Sequence, residues 1–226
     1  MKKTLANLFI LTALTLTSVA CKSDKKNNTE TKAPQEVVEK SDLSETFKIN
    51  TEESAINWTG SKPTGEHIGS ISIASGSFHF TNHQLESGKA VIDMTSITVE
   101  DEGMPEDAKK SLEAHLKGTA EGKEEDFFNT KKFPTAGFEI TGVQKEGEKM
   151  WIQGNLTMKE KTQNVSFPAA ITWASDSSSV KITSDAFTID RTKWDVNYGS
   201  KTIFGDLGDK FINDEISLKI AIKAYK

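Results

Sequence analysis

The chain has 226 residues, a formal net charge of −5, 35% hydrophobic and 27% charged residues. That length suits one domain of ordinary size plus some extra sequence, and with only one long apolar run a polytopic membrane protein is excluded. The acidic balance, without a Lys/Arg cluster interleaved with aromatics, argues against nucleic acid as a partner. The single Cys excludes an internal disulfide and any cysteine-based zinc or iron–sulfur centre.

Lys2 and Lys3 open the chain, and Leu5 to Ala20 is apolar or small. This pattern predicts a secretory signal peptide over residues 1–20. Ser18-Val19-Ala20-Cys21 resembles the lipobox of bacterial lipoproteins, in which the cysteine thiol receives a diacylglycerol. On that reading Cys21 is the lipidation site and the mature chain begins there. The protein is then a membrane-anchored lipoprotein of a bacterial cell envelope, facing the periplasm or the cell surface. Loss of Lys2 and Lys3 leaves 26 basic residues against 33 acids, a charge of −7. Residues 22 to about 42 are rich in Lys, Asn, Thr and Glu, so they are predicted to be a solvated, flexible linker reaching roughly 25 Å. The domain boundaries expected are thus 1–20, 21–43 and 44–226.

From Thr46 onward the dominant period is two. Ile216, Leu218, Ile220 and Ile222 share one face of a closing strand. Leu156 and Met158, Phe138 and Ile140, Val180 and Ile182, and Ile171 and Trp173 alternate in the same way. Ile71 and Ile73 share one parity but Phe78 and Phe80 the other, which predicts a β-bulge near Ala74-Ser75-Gly76. Turn signals fall at Thr81–Gly88, Lys145–Glu148 and Ser175–Ser178. About eight to ten strands in hairpin order predict an all-β fold, an antiparallel barrel or sandwich. One interruption is helical. Pro105 opens it, Glu106 and Asp107 complement its dipole, and Ala108, Leu112, His115 and Leu116 form one stripe ended by Gly118. A second short helix or turn is expected over Glu124–Phe128.

The chemistry of catalysis is sparse. His79 and His83 form an H-x3-H pair, but on a strand they stand roughly 13 Å apart, too far for one ion. No G-x-S-x-G elbow and no phosphate loop is present. No catalytic residue, metal or cofactor is predicted. His67 sits in a Gly-flanked loop, and Arg191 and Tyr198 lie near Asp190 and Trp194. These three are candidates either for a ligand's polar head or for structural hydrogen bonds. The aromatic content points elsewhere. Phe78, Phe80, Phe138, Phe167, Trp173 and Phe187 are predicted to line the inner face of a curved sheet, with Ile140, Leu156 and Trp194 completing an apolar lining. A barrel of about eight strands either fills with side chains or holds one apolar ligand, and alternation leaves that choice open.

Several blocks carry a family resemblance. They are Trp58-Thr-Gly60-Ser-Lys62 with Gly65-Glu-His67-Ile-Gly69; His115-Leu-Lys117 with Asp126-Phe-Phe128 and Lys132-Phe-Pro134; Gly154-Asn-Leu-Thr157 with Val165-Ser-Phe-Pro168; Phe187-Thr-Ile-Asp-Arg-Thr192 with Trp194, Val196 and Tyr198; and Asp214-Glu-Ile216. In this order they resemble the YceI-like family, with Glu160 where Gly is usual and Asn164 where Pro is usual. The resemblance implies a lipocalin-like barrel with one or two short helices in a connection. It implies a polyisoprenoid or similar long-chain lipid held inside, often in a homodimer, with binding, transport or storage rather than turnover. A non-catalytic structural or protein-interaction module of the envelope is the alternative, and a lipocalin-type enzyme a third.

Overall fold

A computed structural model describes residues 27–147 and 149–226. The predicted signal peptide and the lipidation site Cys21 lie outside the described residues. The strands are β1 (Asn27–Asn28), β2 (Glu45–Ile49), β3 (Ala55–Lys62), β4 (Gly65–Thr81), β5 (Gln84–Asp93), β6 (Thr135–Glu146), β7 (Lys149–Met158), β8 (Lys161–Trp173), β9 (Ser179–Ser184), β10 (Phe187–Asp190) and β11 (Glu215–Tyr225). Helix α1 (Glu106–Lys117) stands between β5 and β6, and the one-turn α2 (Lys201–Phe204) between β10 and β11.

Neighbouring strands from β3 to β9 pair antiparallel in sequence order, and β11 pairs with both β9 and β3. That last pairing closes the sheet on itself. The ring removes free edges, which is how an antiparallel sheet of this size avoids pairing with other chains. Ile216, Leu218, Ile220 and Ile222 of β11 all face the lumen, as their alternation predicts. The predicted bulge is present, because the β4–β5 register shifts between Ile73 and Ser75. Helix α1 spans the predicted residues and ends at Gly118, whose φ of 68° is the left-handed cap that glycine adopts freely. Glu124–Phe128 forms turns rather than a helix.

Part of the predicted linker lies along the barrel. β1 pairs in parallel with β10, Thr29 donates its amide to Thr188 O and its hydroxyl to Ser166 O of β8, and Lys32 and Asn164 exchange backbone hydrogen bonds. Residues 27–32 therefore run between β8 and β10, which share no ladder with each other. The chain then crosses the outside of the barrel. Asn155 accepts from the Gln35 amide at 3.0 Å and donates to the Gln35 carbonyl at 2.7 Å. The Val38 amide reaches Ile140 O, and the Ser41 hydroxyl reaches Glu86. The sequence argument weighed only the apolar surface this segment could bury. It missed that a strand edge and the cross-strand pair Asn155 and Asn164, 8% and 4% exposed, meet its backbone groups.

Two levels of the barrel follow. In the half holding the β4–β5 turn, the ring reads β11, β2, β4, β5, β6, β7, β8, β9: eight staves. In the opposite half β3 replaces β2, β10 replaces β9, and residues 27–32 stand between β8 and β10, making nine. Barrel diameter grows with strand number, so the second half is the wider.

Candidate functional site

The wide half contains a cavity of about 230 Å³. Its walls are apolar: Ile56, Trp58, Ile71, Leu156, Ile189 and Leu218 from the strands, with Leu112, Leu116, Phe127 and Phe128 from α1 and the segment after it. A second, all-apolar chamber of about 80 Å³ lies deeper. Ile56, Ile92, Leu156 and Leu218 line both, so the two are neighbours along the lumen. An apolar cavity of about 150 Å³ already stays dry and takes up a benzene-sized guest.

Glycines keep this lumen open. A Cβ at Gly154 would sit 2.2 Å from Phe138 Cζ, one at Gly88 2.6 Å from Phe78 Cδ1, and one at Gly69 2.7 Å from Trp58 Cζ2. Each aromatic ring therefore lies over a glycine of the neighbouring strand, against the wall, instead of projecting across the barrel.

The predicted lining residues separate into three groups. Phe78, Phe138, Ile140, Leu156, Phe167 and Phe187 do line the deeper chamber, and Phe167 and Phe187 stack at 4.7 Å with rings 13° apart. Phe80 and Trp173 line neither cavity. They pack with Phe47 at 4.8 to 5.4 Å, edge to face, and His83 closes on Trp173 at 4.4 Å. This cluster closes the narrow end. Trp194 also lies off both cavities. It is fully buried and donates its indole N–H to Leu156 O at 2.9 Å, pinning the turn after β10 to β7.

The three polar candidates all border the wide chamber. Arg191 is 1% exposed. Its guanidinium donates to the carbonyls of Asn213, Val196 and Ile212 at 3.2, 2.6 and 3.1 Å, with Asp214 3.6 Å away. Burial pushes its pKa down while Asp214 and Asp190 oppose that shift. Arg191 is thus a brace holding the β10–β11 connection, not a free cation. His67 Nδ1 bonds Asp101 at 2.5 Å, and Asp101 also accepts from the Ile68 amide at 2.7 Å. Burial raises the Asp101 pKa, but the His67 and Ile68 hydrogen bonds and the His67 and Lys109 charges together hold it below its ordinary value. Tyr198 packs on His115 and Phe127, and His115 bonds Asp126 at 2.6 Å. Lys159 donates to the carbonyls of Phe127 and Asp195, and burial lowers its pKa. These contacts tie the loops of the wide end to one another.

Sequence reasoning missed Trp58, Met94, Met158 and Ile212 as lining residues. The signal for Leu112, His115 and Leu116 was present in the stripe on α1, since all three face the chamber. His79 and His83 serve elsewhere: His79 bonds Thr46 and His83 bonds Ser177. Among the described residues no group of three or more His, Cys, Asp or Glu is placed to hold a metal ion.

The YceI-like domain matches residues 47–224 of the chain. The crystal structure of Burkholderia cenocepacia BcnA is similar, with a TM-score of 0.59 at 19% identity, over 78% of this chain and 99% of that one. So is a polyisoprenoid binding domain from Saccharophagus degradans implicated in plant cell wall breakdown, with a TM-score of 0.53 at 12% identity, over 79% and 97%. A UPF0312 protein of Photorhabdus laumondii is 46% identical over 43 residues, 19% of this chain. That match spans 22% of the Photorhabdus protein's length.

Proposed function

This chain belongs to the YceI-like family, and on that premise we propose that it binds a long apolar lipid, a polyisoprenoid or a similar chain, inside the barrel. The observation that carries the reading is the lumen: two adjoining apolar chambers of about 230 and 80 Å³, with polar groups at one end only. Burying each methylene of a chain there is worth roughly 0.8 kcal/mol. The walls recognise shape and dryness more than any atom, which is why no sharp motif marks the site. The ligand's polar end lies at the wide rim. Lys62 and Tyr198 border the chamber there, and neither side chain makes a hydrogen bond or ion pair among the described residues. The solved polyisoprenoid binding domain of the same fold supports the choice of ligand class. A scaffold with no guest has less use for a lumen kept open by glycines.

The reading includes a lipid anchor on Cys21, an envelope location, and a role in transport or storage, with a second copy of the chain as a possible partner. Organic extraction of the purified protein followed by mass spectrometry tests the binding. A stoichiometric apolar chain is expected, and an extract free of lipid from protein that also takes up no apolar probe overturns the reading. Cys21→Ser tests the anchor separately, because membrane partition of the full chain is expected to be lost.

A further inference from the structure

The wide chamber is partly open to solvent, and two segments of the chain frame its mouth. One is the β3–β4 hairpin, whose Ser61, Lys62 and His67 border the chamber. The other is the loop from Tyr198 to Asn213. Both ends of this loop border the chamber, and the Ile212 amide donates to Gly199 O, which pinches the loop at its base. Asn213 donates to Ser61 Oγ and ties the two segments together. The one-turn α2 stands in the loop. Its cap, Ser200, is fully buried and accepts from the Ile203 amide, while Gly205, with a φ of 62°, ends the turn directly after Phe204. Ile203 and Phe204 are left 51% and 58% exposed.

We propose that this loop is a docking surface for a phospholipid bilayer, which Ile203 and Phe204 enter so that the chamber mouth faces the lipid. The inference rests on the lipid-binding reading above. A long apolar ligand is nearly insoluble in water, so it enters and leaves the barrel at a lipid phase, and the exposed pair stands beside the opening it would use. Ile68 and Tyr198, on the same two segments, are exposed as well. Large apolar residues gathered around one opening mark a contact site. Charge points to the same occupant. Across residues 61–68 and 199–212, Lys62, Lys201 and Lys210 balance Glu66, Asp206 and Asp209, on a chain whose net charge is −5. None of these six side chains forms an ion pair among the described residues. Their ammonium groups are free to meet headgroup phosphates, and their carboxylates to meet headgroup ammonium groups, which is the pattern of a zwitterionic surface. An apolar turn flanked by lysines whose stems reach back to the headgroups lies well in such an interface.

Hydrogen exchange of the full chain, with and without phosphatidylethanolamine–phosphatidylcholine vesicles, locates the contact whether or not Cys21 holds the chain on the membrane. Amides of residues 200–212 are expected to exchange at least about tenfold more slowly on vesicles, the factor that one apolar side chain leaving water provides. Ile203→Ser with Phe204→Ser should abolish that protection. Affinity for the fluorescent apolar probe N-phenyl-1-naphthylamine should not change, since neither residue lines either chamber. Leu43→Ser, at an exposed site near the β4–β5 turn in the opposite half, should leave the protection intact. Absence of vesicle-dependent protection in the natural chain, or equal protection in the double variant, overturns the docking surface; where the probe still binds, the lipid-binding reading stands. Protection that grows with protein concentration without vesicles assigns the patch to a second copy of the chain and also overturns it. A natural chain that takes up no probe removes the reading on which the inference rests. If the double variant loses its near-ultraviolet circular dichroism, Phe204→Ser alone carries the test: partial loss of protection supports the docking surface, and unchanged protection overturns it.

Discussion

At the narrow end of the barrel Phe47, Phe80 and Trp173 project inward and meet edge to face. Toward the wide end Trp58, Phe78 and Phe138 lie back against the wall. The residue types are the same, and what differs is whether a glycine of a neighbouring strand lies beneath the ring. Phe80 is opposite Leu85, Phe47 is opposite Phe78, and Trp173 is opposite Val180. Trp58 is opposite Gly69, and Phe78 is opposite Gly88. An aromatic ring with a glycine beneath it can fold onto the sheet, as Phe138 does over Gly154, whereas one with side chains on both neighbouring strands is held off it. Aromatic content therefore says how much surface a barrel can bury, and glycine placement says whether it fills.

Substitutions at the two ends separate these roles. Phe80→Ala should produce the largest loss, because it empties a site 1% exposed to solvent. About 3–5 kcal/mol of stability is expected to go, read by denaturant titration, with apolar probe affinity unchanged. A matching loss of affinity would merge the two ends into one functional unit. Gly154→Ala should cost about 1–3 kcal/mol, since its Cβ collides with Phe138 and drives that ring into the deeper chamber. Here probe affinity should fall as well, and that joint loss marks the wall glycines as keepers of the lumen.

Glu160→Gly should act in the opposite direction. Lys159 and Glu160 have φ of 44° and 63° in the two-residue β7–β8 turn, a geometry that suits glycine and strains other residues. Relief at Glu160 should stabilise the protein by about 1 kcal/mol without changing probe binding. The smallest effect concerns acid. Asp101 has a folded pKa lowered from 3.8. Its contribution is therefore complete above the unfolded value and is lost as pH falls through the lower, folded one. The His67–Asp101 contact at the wide rim should therefore release only below the ordinary carboxylate value of 3.8, and Asp101→Asn should abolish that step in an acid titration of rim mobility followed by hydrogen exchange.

Much of this was legible in the chain because it depends on period and punctuation. The β11 alternation, the bulge at Ala74 and the α1 boundaries are local signals, and each appears where it was expected. The split of the aromatics was not legible, because it depends on which residue of another strand stands opposite. Phe80 and Phe78 lie two positions apart on one face of β4 and have different fates. Arg191 read as a structural ion pair ahead of a headgroup contact, and the carbonyls of Val196, Ile212 and Asn213 placed around it show a brace. Residues 27–32 read as solvated because their composition is polar. Their order comes from two strands and an Asn pair more than a hundred residues away.

The central claim is that an open apolar lumen, continuous between its two chambers, holds the ligand. Leu218 lines both chambers, so Leu218→Trp places an indole at their junction while keeping the residue apolar. Equilibrium titration with N-phenyl-1-naphthylamine is the most direct measurement. The account predicts saturable 1:1 binding to the natural chain and a loss of at least about tenfold in the variant, for a displaced apolar contact of 1.4 kcal/mol or more. A folded variant that binds the probe as tightly, and with the same stoichiometry, would contradict it.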